Sequence, residues 1–427
     1  MRACLKTPIL PKEGFETCTR RDSIKEMPLF HPQKQRVCGV VDVGSDAIKA
    51  LLFELPQENT GASPAQTLAL VPRPIEKFVW ELPEQYSGVR LARKIRECVF
   101  RMVQHIHEVP ERILVALGPT VAESGLRTWR VGAGAGGRMF TRRDIRALYH
   151  DLFTSQNDLR RAVIAAPVDV LVNGYPLSWP SRNGREQSDS ILPHAQVKEV
   201  VFRTLSMHMT VENGATFAEI KNALGGMPIE FIPLAVAYKE AVVRGLGVRD
   251  TLVVDVGGAE TTVLSIRDGR FAHVGFMPLG TRRFAEHLVK KGGQSFRDAQ
   301  KTMRAYAVLA PVRQKDKAEQ GIAVVSASAA RQWKRSFVSA LDSFFSAGPI
   351  PETLLLTGGG AYIPELRSAL LADDWMGNVS YARVPKLRVL DASGFFGGNT
   401  LGGHVDGPED AGLAALAVYA MAHQPLF

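Results

Sequence analysis

The chain has 427 residues, of which 45% are hydrophobic and 22% are charged, and its formal net charge is +9. This length exceeds what one ordinary hydrophobic core accommodates, so the sequence predicts a folded protein of two or more domains. It contains no run of the ~20 apolar residues that a transmembrane helix requires, and no apolar segment follows its first charges as in a secretory signal. The four cysteines form no CxxC pair, which argues against a zinc site and favours reduced thiols in a cytoplasmic protein.

Two stretches are rich in basic residues. Residues 1–36 contain eight Lys and Arg against four Asp and Glu and show no hydrophobic periodicity, so we interpret them as a flexible basic N-terminal tail. Residues 127–146 contain six arginines against Asp144 alone. Either stretch can attract anionic lipid or an acidic partner, although a solvated surface is the more ordinary explanation for each.

The segments after the tail predict a β-hairpin, a helix and a further strand. Apolar strands at 37–43 and 47–54 flank a turn that reads Asp42-Val43-Gly44-Ser45, and Lys49 lies in the second strand. Apolar residues recur at helical spacing over 91–107, and a buried strand is predicted over 113–117.

An insert is expected to follow at 119–194. It begins with a strand and a glycine-rich hairpin, and a capping box with Asp in place of Glu predicts a helix that starts at Thr141. A strand is predicted over 161–172. Residues 197–207 are predicted to return to the first lobe as a strand, followed by helices over 216–224 and 235–244.

The second half repeats the pattern of the first turn. An apolar strand at 252–256 ends in Asp255-Val256-Gly257-Gly258, and a third apolar strand at 354–357 ends in three glycines. The region between them, 281–350, is predicted to be mostly helical. A final apolar helix over 411–422 is too short and too poor in Lys and Arg to resemble an amphipathic membrane anchor.

The three strand ends carry the candidate ligands of a nucleotide. Aspartates at the mouths of glycine turns can face a hydrated divalent cation, and the backbone N–H groups of such turns can cradle phosphate oxygens. Consecutive glycines leave room for a ring or a ribose against the backbone. Each turn alone is an ordinary hairpin or helix cap, but their order and separation favour one site between two lobes. The candidate residues are Asp42, Gly44, Ser45, Lys49, Asp255, Gly257, Gly258, Gly358, Gly359 and Gly360.

This arrangement resembles the superfamily of actin, sugar kinase and Hsp70 ATPases. Residues 42–49 look like its phosphate-1 loop, residues 255–258 look like its phosphate-2 loop, and residues 357–360 look like its adenosine motif. The resemblance implies ATP and Mg²⁺ as cofactors. It also implies that Asp42 and Asp255 are the catalytic residues and hold the metal, through water.

Within the superfamily, the chain is similar to the bacterial cell-division actin homologue FtsA and its relatives. The stretches that carry this likeness are 117–131 with 140–145, then 172–180, and 277–281. The resemblance implies an α/β, actin-like ATPase fold with two RNase H-like lobes around a nucleotide cleft and an inserted small α+β subdomain. The implied domains are a first lobe at 37–118 and 195–245, the inserted subdomain at 119–194, a second lobe at 250–280 and 351–420, and a mostly helical subdomain at 281–350.

Two departures from the family pattern bear on catalysis. Ile232 is expected where relatives usually carry a carboxylate or amide that orients the attacking water, and Gln300 and Met303 replace a Glu and a Lys that hold the ribose and base. We therefore expect nucleotide binding with slow or absent ATP hydrolysis.

Two functions follow from the resemblance. The first is an FtsA-like cytoskeletal scaffold of cell division, and the alternative is a PilM-like assembly protein of a type IV pilus inner-membrane platform. A sugar or acetate kinase is disfavoured because its signatures are missing. The implied partners are further copies of the chain in protofilaments and a tubulin-like division protein or a membrane-protein partner, without nucleic acid. A cytoplasmic location peripheral to the inner membrane, with weak membrane contact at most, is expected.

Overall fold

The computed structural model describes residues 36–55, 73–81, 88–106, 110–118, 123–132, 140–154, 163–177, 196–208, 222, 227–309, 317–345, 348–397 and 405–423. The predicted tail lies outside the described residues except for Arg36, and the helix predicted over 216–224 lies outside them except for Asn222.

The described residues form fourteen strands and eight α-helices. The strands are β1 (Val37–Val43), β2 (Ala47–Glu54), β3 (Arg73–Glu81), β4 (Arg112–Leu117), β5 (Glu123–Gly132), β6 (Val163–Val172), β7 (Tyr175–Leu177), β8 (Glu199–His208), β9 (Ile229–Pro233), β10 (Thr251–Val256), β11 (Thr261–Arg267), β12 (Arg270–Met277), β13 (Thr353–Thr357) and β14 (Lys386–Val389). The helices are α1 (Gly88–Ile106), α2 (Arg142–Thr154), α3 (Leu234–Glu240), α4 (Arg282–Gly292), α5 (Phe296–Leu309), α6 (Lys317–Phe345), α7 (Pro364–Leu371) and α8 (Ala411–Ala422).

Two five-stranded sheets share one topology. Their strand orders are β3-β2-β1-β4-β9 and β12-β11-β10-β13-β14. In each sheet an antiparallel hairpin, β1–β2 or β10–β11, lies beside parallel strands. The central strands are apolar and buried on both faces, as parallel strands covered by helices require. The predicted pair of lobes is therefore present, each built on one sheet.

The strand register places both aspartates at the same edge. Asp42 is the penultimate residue of β1 and pairs with Lys49 of β2, while Asp255 is the penultimate residue of β10 and pairs with Thr262 of β11. On its other side, Asp255 lies beside Thr357 of the parallel strand β13. Because parallel strands end at one edge of a sheet, the turns that follow β10 and β13 meet there.

A third, antiparallel sheet of order β5-β8-β6-β7 forms the insert together with α2. The prediction that residues 197–207 return to the first lobe is wrong, because β8 lies between β5 and β6 and pairs antiparallel with both. The predicted capping box begins α2: the Thr141 backbone N–H donates to Asp144 Oδ2 at 2.8 Å, and the Asp144 N–H donates to Thr141 Oγ1 at 3.2 Å.

The final helix is a core element. Every residue of α8 except Tyr419 is buried, and α8 packs against β1 and α3. A helix that is apolar on all sides has to be enclosed by protein or lipid; here it is enclosed by protein. Among the described helices, none combines the length and the apolar character that crossing a membrane requires.

Candidate functional site

A cavity of about 400 Å³ lies between the two sheets, where the turns after β1, β10 and β13 converge. The predicted site residues that line it are Asp42, Gly44, Ser45, Lys49, Asp255, Gly257, Gly258, Gly358 and Gly359. Gly360 is the exception. It is buried below Val256, and a Cβ atom at Gly360 would lie 2.3 Å from the Val256 Cγ1 atom. The structure therefore gives Gly360 a packing role beside the cavity wall.

Two carboxylates, those of Asp42 and Asp255, line this cavity. Burial raises the pKa of Asp42 from 3.8 to about 6; the charges of Asp255 and Asp410 also raise it, while Lys49 lowers it. Burial likewise raises the pKa of Asp255 to about 6, against a hydrogen bond from the Tyr238 hydroxyl at 3.1 Å. Two converging carboxylates that lack sufficient positive charge suit a hard divalent cation such as Mg²⁺. The donor set therefore fits the metal that the sequence implies.

Besides lining the cavity, the Lys49 side chain contacts the segment that precedes α8. Its ammonium lies 3.4 Å from Asp410 Oδ1 and donates to the backbone carbonyl of Glu409. Lys77 of β3 also donates to the Asp410 carboxylate. The segment before α8 thus fixes the Lys49 ammonium at the cavity wall, where a phosphate oxygen could share it.

Close backbone approaches explain two of the glycines. Gly358 has a φ of +81°, and a Cβ atom there would lie 2.3 Å from Asp255 Oδ1. Gly412 of α8 packs against Asp42, with a Cβ atom at that position only 2.6 Å from Asp42 Oδ2. Gly359, by contrast, has open space before it. The backbone at Gly359 is therefore the part of the triple-glycine turn that a flat ligand can approach.

The two aspartate turns also contact each other directly. The Ala259 N–H donates to Ser45 Oγ at 2.8 Å, and the Arg282 Nε–H donates to Asp46 Oδ1 at 2.6 Å. The Asp46 carboxylate packs on Gly258, where a Cβ atom would lie 2.3 Å from Asp46 Cγ. We call these four residues, Ser45, Asp46, Ala259 and Arg282, the inter-lobe clasp. Sequence reasoning missed Asp46 and Arg282.

The bridging helix α3 presents a different residue to the cavity than the sequence indicated. Ile232 is 1% exposed and lies in the core, whereas Pro233, Leu234, Ala235 and Tyr238 line the cavity. The interpretation of Ile232 as the residue at the water-orienting position is therefore wrong. Tyr238, which the sequence analysis did not select, is the polar residue of this helix that lines the cavity, and its hydroxyl donates to Asp255.

The helical part of the second lobe closes the other side of the cavity. Gln300, Met303 and Arg304 of α5 line the wall, together with Tyr362 after the triple-glycine turn. Gln300 and Met303 were expected near the ribose and base, and the structure places both at the cavity. Arg304 was missed, although it directly follows Met303 on the same helix.

Comparison with known proteins adds evidence on the fold. No protein-family model matches the sequence, and the comparison with curated proteins also gives no match. Among solved structures, the PilM–PilN type IV pilus biogenesis complex is similar with a TM-score of 0.56 and 16% identity, over 92% of this chain and 100% of that chain.

Two further structures are more distant. The ethanolamine utilization protein EutJ from Carboxydothermus hydrogenoformans gives a TM-score of 0.45 at 11% identity, over 91% of both chains. MreB5 of Spiroplasma citri bound to ADP gives 0.43 at 10% identity, over 90% of this chain and 96% of that chain. The duplicated sheet topology and the likeness to the pilus protein agree, and the chain has the actin-like ATPase fold.

Proposed function

We propose that this protein binds ATP with Mg²⁺ in the cavity between its two lobes. The observation that carries the proposal is the convergence of three glycine turns and two buried carboxylates on one cavity of about 400 Å³, a volume within the range of small-molecule sites. The actin-like fold supports the same assignment. Asp42 and Asp255 would hold the metal through water, and the metal offsets the negative charge of the phosphates.

The remaining roles follow from position. Lys49 is the cation whose charge lowers the pKa of both carboxylates, and it would contact a phosphate oxygen. The open backbone at Gly359 and the neighbouring Gln300 and Met303 would accommodate the nucleoside.

We further propose that hydrolysis is slow or absent. On the bridging helix, the residues that line the cavity are apolar except Tyr238, and its hydroxyl already donates to Asp255. Groups that position or deprotonate an attacking water contribute roughly 10²–10⁴-fold to rates. Bound ATP would then act as a stable ligand that selects a conformation rather than as fuel for rapid turnover.

The cellular role that we favour is assembly of a membrane-associated complex through a protein partner, as in a type IV pilus platform. Its support is the likeness to the PilM–PilN complex, which extends over the whole of that chain. The second candidate is an FtsA-like division scaffold, supported by the sequence at 277–281.

Purified protein that forms ATP-dependent protofilaments in a pelleting assay would favour the scaffold. ATP-dependent binding of a cytoplasmic tail peptide from a pilus membrane protein would favour the platform.

The binding site is tested by the Asp255→Ala variant with a fluorescent ATP analogue. We expect wild-type protein to bind the analogue in a Mg²⁺-dependent manner and the variant to lose that dependence. Asp342→Ala, at an exposed position on α6, is the control and should bind like wild type. Unchanged Mg²⁺-dependent affinity in a folded Asp255→Ala variant contradicts the assignment.

A further inference from the structure

A carboxylate occupies the space between the two aspartate turns. Asp46 directly follows the first turn, and its side chain rests on Gly258 of the second turn. Asp46, Gly258 and Gly44 all line the cavity. If the phosphates of a nucleotide bind between these turns, they have to enter the space that the Asp46 carboxylate fills.

The Asp46 carboxylate accepts a hydrogen bond from the guanidinium of Arg282. Arg282 Nε donates to Asp46 Oδ1 at 2.6 Å, and Arg282 Nη2 donates to the Ser45 carbonyl oxygen at 2.7 Å. The Arg282 backbone N–H also donates to the Gly258 carbonyl at 2.8 Å. The Arg282 guanidinium is therefore anchored to the backbone of the first turn, and the Arg282 main chain is anchored to the backbone of the second turn. It would stay near its position if the carboxylate moved away.

Asp46 stands between Arg282 and the cavity. Asp46 belongs to the cavity wall, whereas Arg282, directly behind it, does not. A second guanidinium, that of Arg304, lies on the wall itself, 3.9 Å from Asp46 Oδ2, and donates to Glu81 of β3 at 2.9 Å. A guanidinium binds phosphate and carboxylate through the same planar donors, so a phosphate is a direct substitute for the Asp46 carboxylate.

We propose that Arg282 is a phosphate-binding residue of this site and that Asp46 is a built-in competitor that the phosphate has to displace. The inference rests on the proposed function and deepens it. Two anions cannot share the same donors without strong repulsion, so entry of a phosphate turns the Asp46 carboxylate away from Arg282. Because Asp46 belongs to the first lobe and Arg282 to the second, this exchange replaces the salt bridge of the inter-lobe clasp by a bridge through the nucleotide.

The proposal is tested by measuring dissociation constants of the full chain for Mg²⁺-ATP, AMP and inorganic tripolyphosphate. Asp46→Asn keeps the size of the side chain and removes its charge, and it should tighten ATP and tripolyphosphate about tenfold or more. Arg282→Gln should weaken both about 10- to 100-fold, the range for loss of a charge-assisted hydrogen bond. AMP affinity should change less than threefold in either variant, and the gain from Asp46→Asn should shrink in the double variant.

Arg283→Gln is the matched control. Arg283 neighbours Arg282, but its side chain contacts Gln332 and Glu286 instead of the clasp. The proposal is overturned if Arg282→Gln weakens ATP no more than Arg283→Gln, or if Asp46→Asn weakens ATP in a protein whose thermal unfolding is unchanged. Wild-type affinity that depends on Asp255 and Mg²⁺ but is unaltered by Asp46→Asn refutes this inference alone. Absence of ATP and tripolyphosphate binding in wild type and Asp46→Asn refutes the proposed function as well.

Discussion

Replacing Asp42 by Asn should stabilise the protein in the absence of nucleotide. A carboxyl whose pKa rises from 3.8 to about 6 on folding opposes the folded state at neutral pH, because its charged form is worse solvated there. At 1.36 kcal/mol per pKa unit this amounts to about 3 kcal/mol for full burial. Asp42 lines a cavity that water can enter, so we expect a gain of about 1–2 kcal/mol from Asp42→Asn.

The pH dependence gives the sign of the effect. Since the folded-state pKa lies above the unfolded value, the folded protein binds the proton more tightly. The penalty is then present at pH 7 and disappears as the pH falls through 6 toward 4. The difference in free energy of unfolding between Asp42→Asn and wild type should therefore be largest at pH 7, about half as large at pH 5, and small only below about pH 4, near the unfolded-state pKa of 3.8.

Nucleotide should reverse the order of stability. At a Mg²⁺-ATP concentration 100 times the dissociation constant, wild type gains about 2.7 kcal/mol. Asp42→Asn, which lacks one metal-binding carboxylate, should gain far less. Thermal and denaturant unfolding of wild type and Asp42→Asn at pH 5 and pH 7, with and without Mg²⁺-ATP, measure these free energies of unfolding. Asp342→Asn serves as an exposed control. A variant that is less stable than wild type at pH 7 without nucleotide, or a difference that does not depend on pH, refutes the reasoning.

Two further substitutions test the packing and hydrogen bonding around the cavity. Gly280→Ala should destabilise the protein by about 1–3 kcal/mol and weaken ATP binding. A Cβ atom at Gly280 would lie 2.4 Å from the carbonyl oxygen of Gly258. Because that oxygen belongs to the backbone, the clash is relieved only if the second turn moves. Gly292→Ala, where nothing lies within 4 Å, is its control, and equal unfolding curves for the two variants would contradict this account. Tyr238→Phe removes the hydrogen bond to Asp255 and should weaken Mg²⁺-dependent ATP affinity about three- to tenfold, corresponding to about 1 kcal/mol. A Mg²⁺ titration of ATP binding checks this, and unaltered affinity would show that the hydroxyl does not position Asp255.

The lobes were predictable because their signals are local. β1, β10 and β13 are each a short apolar run that ends in a glycine turn, and such runs indicate buried strands without knowledge of their partners. The meeting of their turns at one cavity then follows from the common edge of parallel strands. β8 shows the limit of this reasoning. Its alternation predicts a strand, but its pairing with β5 and β6 is a non-local choice of sheet that alternation does not encode.

The inter-lobe clasp could not be predicted from spacing. Asp46 and Arg282 are 236 residues apart, and their contact depends on how the two lobes come together. One local signal did exist. Arg282 and Arg283 open the helix α4, where the helix dipole disfavours cations, and no acidic residue lies in the first turn to compensate. Basic residues in such a place indicate a nearby anion, which here is the Asp46 carboxylate.

Ile232 lies in the core and not at the cavity because of the strand geometry of β9. β9 continues its parallel pairing with β4 through Pro233, which lies opposite Leu117, so side chains still alternate between the two faces of the sheet at Ile232. Ile232 consequently points into the core, and the cavity is reached by Pro233 and then by α3. The expectation of slow turnover thus no longer depends on one apolar residue in a motif. It depends on a helix face whose sole polar group at the cavity, the Tyr238 hydroxyl, is a donor to Asp255 and would have to leave that carboxylate to orient a water.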